Sequence, residues 1–328
     1  MLDLAWYCPS EGDGHHLGTR APERAPAFEY LLRVVRAAER AGAQEILIPT
    51  GAVNDSFAPD APFAESWTTA AALASRTRSI RLIVAVNPAG VSPRLAAHQA
   101  ETLEEIAPGR IALNLVAGGG PVDGYGHPPV AHDERYGRLA AFADAVRRRF
   151  RGPLYLGGAS DAAKALAARI VDTYLMWGET PDLIAARIDE MRALAGRPMR
   201  FGLRIHIIAR RSEGQARDAA AELLSRARVQ ADRAGEYDAF DSVGQRRMNH
   251  LPADADDWVA PGLWAGIRSV RGGAGTALVG TYGQVAGWLA RYREAGVDMV
   301  IASGYPHLEE VRRVATRVWT RLREPVPA

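Results

Sequence analysis

Two polar side chains interrupt an apolar run: Arg204 and His206 stand two residues apart within Phe201–Ile208. In an extended strand successive side chains alternate, so both fall on one face, opposite Leu203 and Ile205. They could form a structural pair satisfied by a neighbouring carboxylate. The sequence favours a site, because an imidazole with an ordinary pKa near ~6.5 beside a fixed guanidinium is equipped for proton transfer next to an anion. A second arginine, Arg271, opens the run Arg271-Gly272-Gly273-Ala274-Gly275. Glycine takes either sign of φ, so the spacing predicts a mobile loop that closes a cation over an anionic ligand.

Other stretches could serve the same site. Gly157-Gly158-Ala159-Ser160-Asp161 places glycines before a helix start, where unpaired N–H groups can cradle a phosphate. Ala117-Gly118-Gly119-Gly120 and the 133–136 run ending at Tyr136 would lie alongside. Trp177-Gly178-Glu179 puts an indole at a strand end, where stacking on a flat ligand and plugging the barrel top are equally open. In Ser303-Gly304-Tyr305-Pro306-His307, Tyr305 could donate or accept a hydrogen bond at the rim, whereas His307 is expected on a helix surface. His15 and His16 are adjacent and would point different ways, which disfavours a shared metal and leaves one to line a pocket. No nucleoside-triphosphate loop, His-Glu-x-x-His or Gly-x-Ser-x-Gly element occurs.

The elements that must hold these residues alternate between short apolar runs and longer amphipathic ones. Strands are expected at 2–8, 45–49, 80–86, 111–116, 154–156, 173–177, 200–209 and 299–302. Several are almost wholly apolar, as parallel strands covered on both faces should be. Helices are expected at 27–41, 65–76, 93–106, 133–150, 160–169, 181–194 and 212–228, with cap chemistry at Ser160-Asp161, Thr180-Pro181 and Ser212. This order predicts one α/β domain over 1–328, a (β/α)8 TIM barrel with insertion segments at the C-terminal face. A doubly wound sheet would want a glycine fingerprint leading from the first strand into a helix, and 9–16 does not supply it. Two stretches break the rhythm, 52–63 and about 231–280, and both follow strands.

Composition narrows the chemistry. Forty basic and 38 acidic residues over 328 positions nearly balance, and no basic block with interleaved aromatics suggests nucleic acid. The one cysteine, Cys8, excludes an internal disulfide and reads as a buried core thiol. No apolar run approaches the ~20 residues that cross a bilayer, so a cytoplasmic protein without membrane partners is expected.

Read together, these motifs resemble the two-component alkanesulfonate monooxygenases of the bacterial-luciferase-like flavin superfamily. The likeness runs from residues 12–19 through 47–51, 114–116, 134–136, 157–161, 177–179, 201–206, 241–248 and 263–266, then the glycine-rich loop and 303–310. The resemblance implies reduced FMN supplied by a separate NAD(P)H-dependent flavin reductase, with O2 as co-substrate and a small anionic substrate. Cleavage of its C–S bond would release sulfite and an aldehyde. It further implies that Arg204 and Arg271 pair with the sulfonate or with a flavin peroxide, and that His206 shuttles a proton. Tyr305, Trp177 and His15 would complete the pocket. Tyr136, Gly158, Ala159 and Ser160 would hold the phosphate, Asn87 and Ala117 would border the flavin ring, and the chain would form a homodimer or homotetramer.

Two departures bear on the substrate. The family carries a cysteine shortly after its Pro-Thr-Gly segment, and none follows Pro49-Thr50-Gly51. The 52–63 loop is longer than the family's, and the family's excursion before strand five is closed here by Phe150-Arg151-Gly152-Pro153. A luciferase-like oxygenase acting on a sulfone or amine, and a deazaflavin-dependent oxidoreductase, therefore stand as alternatives. A non-catalytic flavin-binding relative would have lost the polar pocket residues.

Overall fold

A computed structural model describes residues 2–54, 56–118, 130–227 and 241–323. Eight parallel strands form a closed ring: β1 (Asp3–Tyr7), β2 (Glu45–Ile48), β3 (Arg81–Val86), β4 (Ile111–Leu115), β5 (Leu154–Gly157), β6 (Thr173–Trp177), β7 (Arg200–Arg210) and β11 (Met299–Ser303). The ring closes twice over on β11, which pairs with β1 at Asp3↔Met299 and with β7 at Met299↔Gly202. Helices α1 (Phe28–Arg40), α2 (Ser66–Arg76), α3 (Pro93–Ile106), α4 (His132–Arg147), α5 (Asp161–Ile170), α6 (Pro181–Ala195) and α7 (Glu213–Leu224) cross between the strands. The expected barrel and its strands are thus observed, with ends shifted by at most one residue.

The strands are apolar on both faces because both are covered. Outward-facing Leu4, Trp6, Leu82, Val84 and Leu113 pack under the helices, while Ala5, Tyr7, Leu47, Ile83, Ala112, Tyr155 and Ile301 fill the interior. The N-terminal end of the barrel is sealed by charge. Buried Glu45, first residue of β2, accepts Tyr155 Oη at 2.6 Å and pairs with Arg81 at 3.4 Å and Arg200 at 3.3 Å. Access to the interior is therefore left at the opposite, C-terminal end, where barrel sites form.

β7 is eleven residues long and its two halves have different partners. Its first half lies between β6 and β11, and its second half pairs with β10 (Ala277–Thr281). His206 is the junction, opposite Ser303 on β11 and Ala277 on β10.

The stretch expected as a long loop is structured where it is described. It holds α8 (Val243–Asn249), β8 (Trp258–Ala260), β9 (Leu263–Trp264), a 3-10 turn at Gly266–Ser269 and β10, and α9 (Tyr282–Glu294) follows directly. Residues 228–240 and 119–129, including Gly119 and Gly120 of the expected glycine turn, lie outside the described residues. These strands were not legible because two to five residues punctuated by glycine and proline show no period. The reciprocal cap of α9 between Thr281 and Gln284 does have a sequence signature. Of the expected caps, Ser160 and Ser212 accept backbone N–H groups, but Thr180 makes no such bond. Helix α10 (His307–Val314) begins after a cis Tyr305–Pro306 bond and is followed by helical turns at Ala315–Trp319 and Thr320–Arg323. No helix among the described residues is long and apolar enough to cross a membrane.

Candidate active site

The inward face of β7 delivers Arg204 and His206 to the C-terminal mouth, as their spacing predicts, and both are buried. β11 places Ser303 between them. Arg204 Nη1 donates to Ser303 Oγ at 2.8 Å, and Ser303 Oγ lies 2.7 Å from His206 Nδ1. The other ring nitrogen, Nε2, is 2.9 Å from the carbonyl of Ala274 in the glycine-rich loop. A carbonyl only accepts, so Nε2 carries the proton and Nδ1 accepts from Ser303. Burial, reinforced by Arg204 and Arg271, holds the imidazole pKa well below its usual value. His206 is thus neutral with both nitrogens engaged.

The glycine-rich loop is seated on the barrel mouth. Arg271 is buried, donates from Nη1 to Tyr305 Oη at 2.8 Å and pairs with Glu11 at 3.3 Å. Glu11 also accepts Tyr7 Oη at 2.8 Å and Ser56 Oγ at 2.6 Å. Burial pushes its pKa up, but Arg271, Ser56 and Tyr7 hold it below the usual carboxylate range. Arg204 differs: among the described residues it bonds to neutral acceptors, Ser303 and the Ile205 and Ile301 carbonyls, while its guanidinium lies 4.4 Å over the Tyr7 ring. Burial draws its pKa down to about 10, so it stays charged at neutral pH. Tyr305 stacks on His206 with ring centres 5.7 Å apart, and burial raises its pKa, keeping it a phenol.

A cavity of about 250 Å3 opens beside this cluster. Arg204, Leu47, Leu175 and Ile301 form its inner wall, Asn114, Val116 and Ala117 one side, Met176 and Trp177 another, and Gly244, Arg247 and Met248 of α8 its roof. At the far end Tyr136, Gly158 and Ala159 line it beside the α5 N-terminus, where Ser160 Oγ caps the Ala163 N–H.

Two observations bear on whether a flavin mononucleotide suits this cavity. Gly158 has φ +148°, and a Cβ there would come within 2.6 Å of Ala163 Cβ and 3.1 Å of Tyr136 Oη, so the cradle requires its glycine. Asn114 Oδ1 is buried and has no partner among the described residues, leaving an acceptor for a ring N–H. A phosphate end and a polar ring edge fit the residues present.

The structure gathers Arg204, His206, Arg271 and Tyr305 into one cluster, and Trp177, Ala117, Tyr136, Gly158 and Ala159 around one cavity. Asn87 is placed differently: its Oδ1 accepts the Ala89 N–H at 3.0 Å, its amide stands behind Gly118, and it is not part of the cavity wall. His15 is not brought into the cluster. The 9–27 loop is folded by a bridge between Asp13 and Arg24, turning His15 out to solvent against Glu23 at 2.9 Å while His16 is buried. His307, expected on a surface, is buried; its Nδ1 accepts Trp6 Nε1 at 3.2 Å and its ring meets Tyr305 edge-on at 5.0 Å. Glu11, Ser303 and Asn114 were not anticipated. The one signal for Glu11 was a carboxylate directly after the first strand, where a barrel site forms.

A family model described as luciferase-like monooxygenase matches residues 2–153 and 149–299. Similar solved structures include riboflavin lyase with modified FMN and riboflavin, at 17% identity, with 98% of this chain and 91% of that chain covered and a TM-score of 0.77. EDTA monooxygenase from Chelativorans sp. BNC1 gives 18% identity, 98% and 93% coverage and a TM-score of 0.74. An F420-dependent secondary alcohol dehydrogenase in complex with an F420-acetone adduct gives 14% identity, 98% and 99% coverage and a TM-score of 0.68. At these identities the structural likeness establishes the barrel and leaves the choice between flavin and F420 open.

Proposed function

The chain belongs to the luciferase-like monooxygenase family, and on that premise we propose that it uses reduced FMN and O2 to desulfonate a small organosulfonate. The observation that carries this reading is Arg204, a buried guanidinium on the cavity wall whose bonds among the described residues go to neutral acceptors. A sulfonate oxygen would add a directly bonded counter-charge to the pull of nearby Glu11, and a forked donor suits it. When bound, reduced FMN supplies two electrons to O2; two more come from the substrate carbon, one oxygen ends in the aldehyde and one in water, and the sulfonate leaves as sulfite.

The chain's residues bind, orient and exclude water. Tyr136 and the Gly158–Ser160 turn hold the phosphate, while Asn114 and Ala117 border the ring. Trp177, Met176 and Met248 give the cavity an apolar wall for the alkyl part. Tyr305, a neutral phenol whose oxygen accepts from Arg271, keeps its proton to donate. His206 is a positioning residue: it fixes Ser303 under Arg204 and anchors Ala274. Asn87 and His15 are left without a direct role. A separate NAD(P)H-dependent flavin reductase delivers the reduced cofactor, and the working unit is a homodimer or homotetramer.

The test combines the protein, FMN, a generic flavin reductase, NADH and a panel of alkanesulfonates of increasing length, with sulfite as the readout. Sulfite from at least one member is expected. Tight binding of reduced FMN with no sulfite from any member would redirect the reading to a sulfone, an amine or hydride transfer.

A further inference from the structure

The roof of the cavity and the arginine loop are separate segments, and Gln245 bridges them. α8 presents Gly244, Arg247 and Met248 to the cavity. Gln245, on the same helix, is buried. Its Oε1 accepts the Gly273 N–H at 2.8 Å, two residues beyond Arg271. Its Nε2 donates to Asn249 Oδ1 at 2.8 Å, which fixes the amide so that its oxygen faces the loop. Gly273 stands at φ +85°, a backbone conformation that other residues avoid, so the position of this N–H is specific.

The helix is tethered at the cavity as well. Ser242 caps it, and Arg135 of α4 pairs with Asp241 just before it at 3.0 Å. Arg247 reaches Glu179 at 2.7 Å, and buried Arg187 holds the same carboxylate at 3.0 Å. The ring of Trp177 lies 3.5 Å from where a Cβ on Gly244 would be. A molecule filling the cavity lies against this helix face. A leucine at 245 would fill the buried space without any polar group to satisfy; the amide instead selects one position of the loop.

We propose that Gln245 is a positioning residue that joins the cavity roof to the glycine-rich loop, so that filling the cavity sets where Arg271 stands. The inference rests on reading the cavity as the FMN site. Gln245 already holds the loop on the barrel mouth, with Arg271 between Glu11 and Tyr305, and a molecule seated against α8 fixes that arrangement. Arg271 thereby reports cofactor occupancy to the substrate end of the site.

Hydrogen–deuterium exchange on the intact protein, with and without FMN as the probe, tests this. In the parent, FMN is expected to protect 243–249 and 270–276 together. In Gln245→Leu, 270–276 should exchange about five- to tenfold faster without ligand, as expected for a lost hydrogen bond. FMN should then protect 243–249 alone. Gln245→Glu, which keeps the acceptor, should restore protection of 270–276. Equal protection of both segments in Gln245→Leu and parent would overturn the proposal. If Gln245→Leu does not fold, the parent decides: protection confined to 243–249 overturns it. Failure of FMN to protect 243–249, with no binding in a fluorescence titration, overturns the cavity reading and this inference with it. Binding without protection of 270–276 overturns the coupling alone.

Discussion

Glu11 and Arg271 form a buried ion pair at 3.3 Å across 260 positions of sequence, tying the loop after β1 to the loop before β10. Both side chains are almost fully out of solvent. Removing one partner of such a pair leaves an uncompensated buried charge and costs about 3–5 kcal/mol. Glu11→Gln should therefore lower the urea midpoint clearly. It should leave FMN affinity close to the parent's, because Glu11 is not part of the cavity wall. An unchanged midpoint would mean that Arg271 finds another partner and that the pair does not hold the loop.

Arg204 and Arg271 should separate kinetically. Arg204→Lys keeps a charge but loses the fork that spans Ser303 and the sulfonate, so KM for the sulfonate should rise about 30-fold or more, roughly 2 kcal/mol. Arg271→Ala should abolish turnover with reduced-FMN affinity largely kept. A large loss of flavin affinity in Arg271→Ala would assign that arginine to the cofactor instead.

Gly158→Ala examines the phosphate end. The added methyl meets Ala163 at 2.6 Å in a left-handed backbone, so the turn must shift. The expected outcome is a folded protein whose FMN dissociation constant rises about tenfold or more, ~1.4 kcal/mol. Parent-like affinity, measured by flavin fluorescence, would place the phosphate elsewhere.

Much of this site was readable because strand alternation is local: Arg204 and His206 share a face in any strand, whereas Gly158 before a helix start is by itself a common turn. What alternation could not give is the third element. Ser303, which converts Arg204 and His206 into one chain of hydrogen bonds, comes from β11, and that closure depends on the register of two strands nearly a hundred residues apart. The same limit explains His307, whose burial depends on Trp6 and Tyr305 rather than on its own helix. His15 and His16 could not be told apart, since the turn set by Asp13 and Arg24 decides which faces inward. The glycine run was read as a mobile loop, whereas in the structure Gln245, His206 and Glu11 seat it on the barrel mouth, contacts that no local pattern shows.

The state of His206 gives a pH prediction. Its folded pKa is depressed by burial and by the two arginines, so below the ordinary histidine value the unfolded chain binds a proton that the folded chain does not. The corresponding stability is fully present above about pH 6.5 and is lost as pH falls below it, by up to ~1.4 kcal/mol per pH unit. His307 contributes in the same direction, while His16, raised chiefly by Glu23, contributes in the opposite one. His206→Asn should therefore lose less stability than the parent between pH 6.5 and 5 in urea melts. Parallel losses would show that the folded imidazole is protonated.

The most direct measurement is a single turnover. The protein is loaded anaerobically with one equivalent of reduced FMN and an alkanesulfonate that it accepts, then mixed with oxygenated buffer, and sulfite and hydrogen peroxide are counted against flavin oxidised. The account predicts sulfite close to one per flavin in the parent, and peroxide replacing sulfite in Arg204→Gln while FMN stays bound. Flavin oxidation that yields peroxide alone in the parent, with every sulfonate tried, would contradict it.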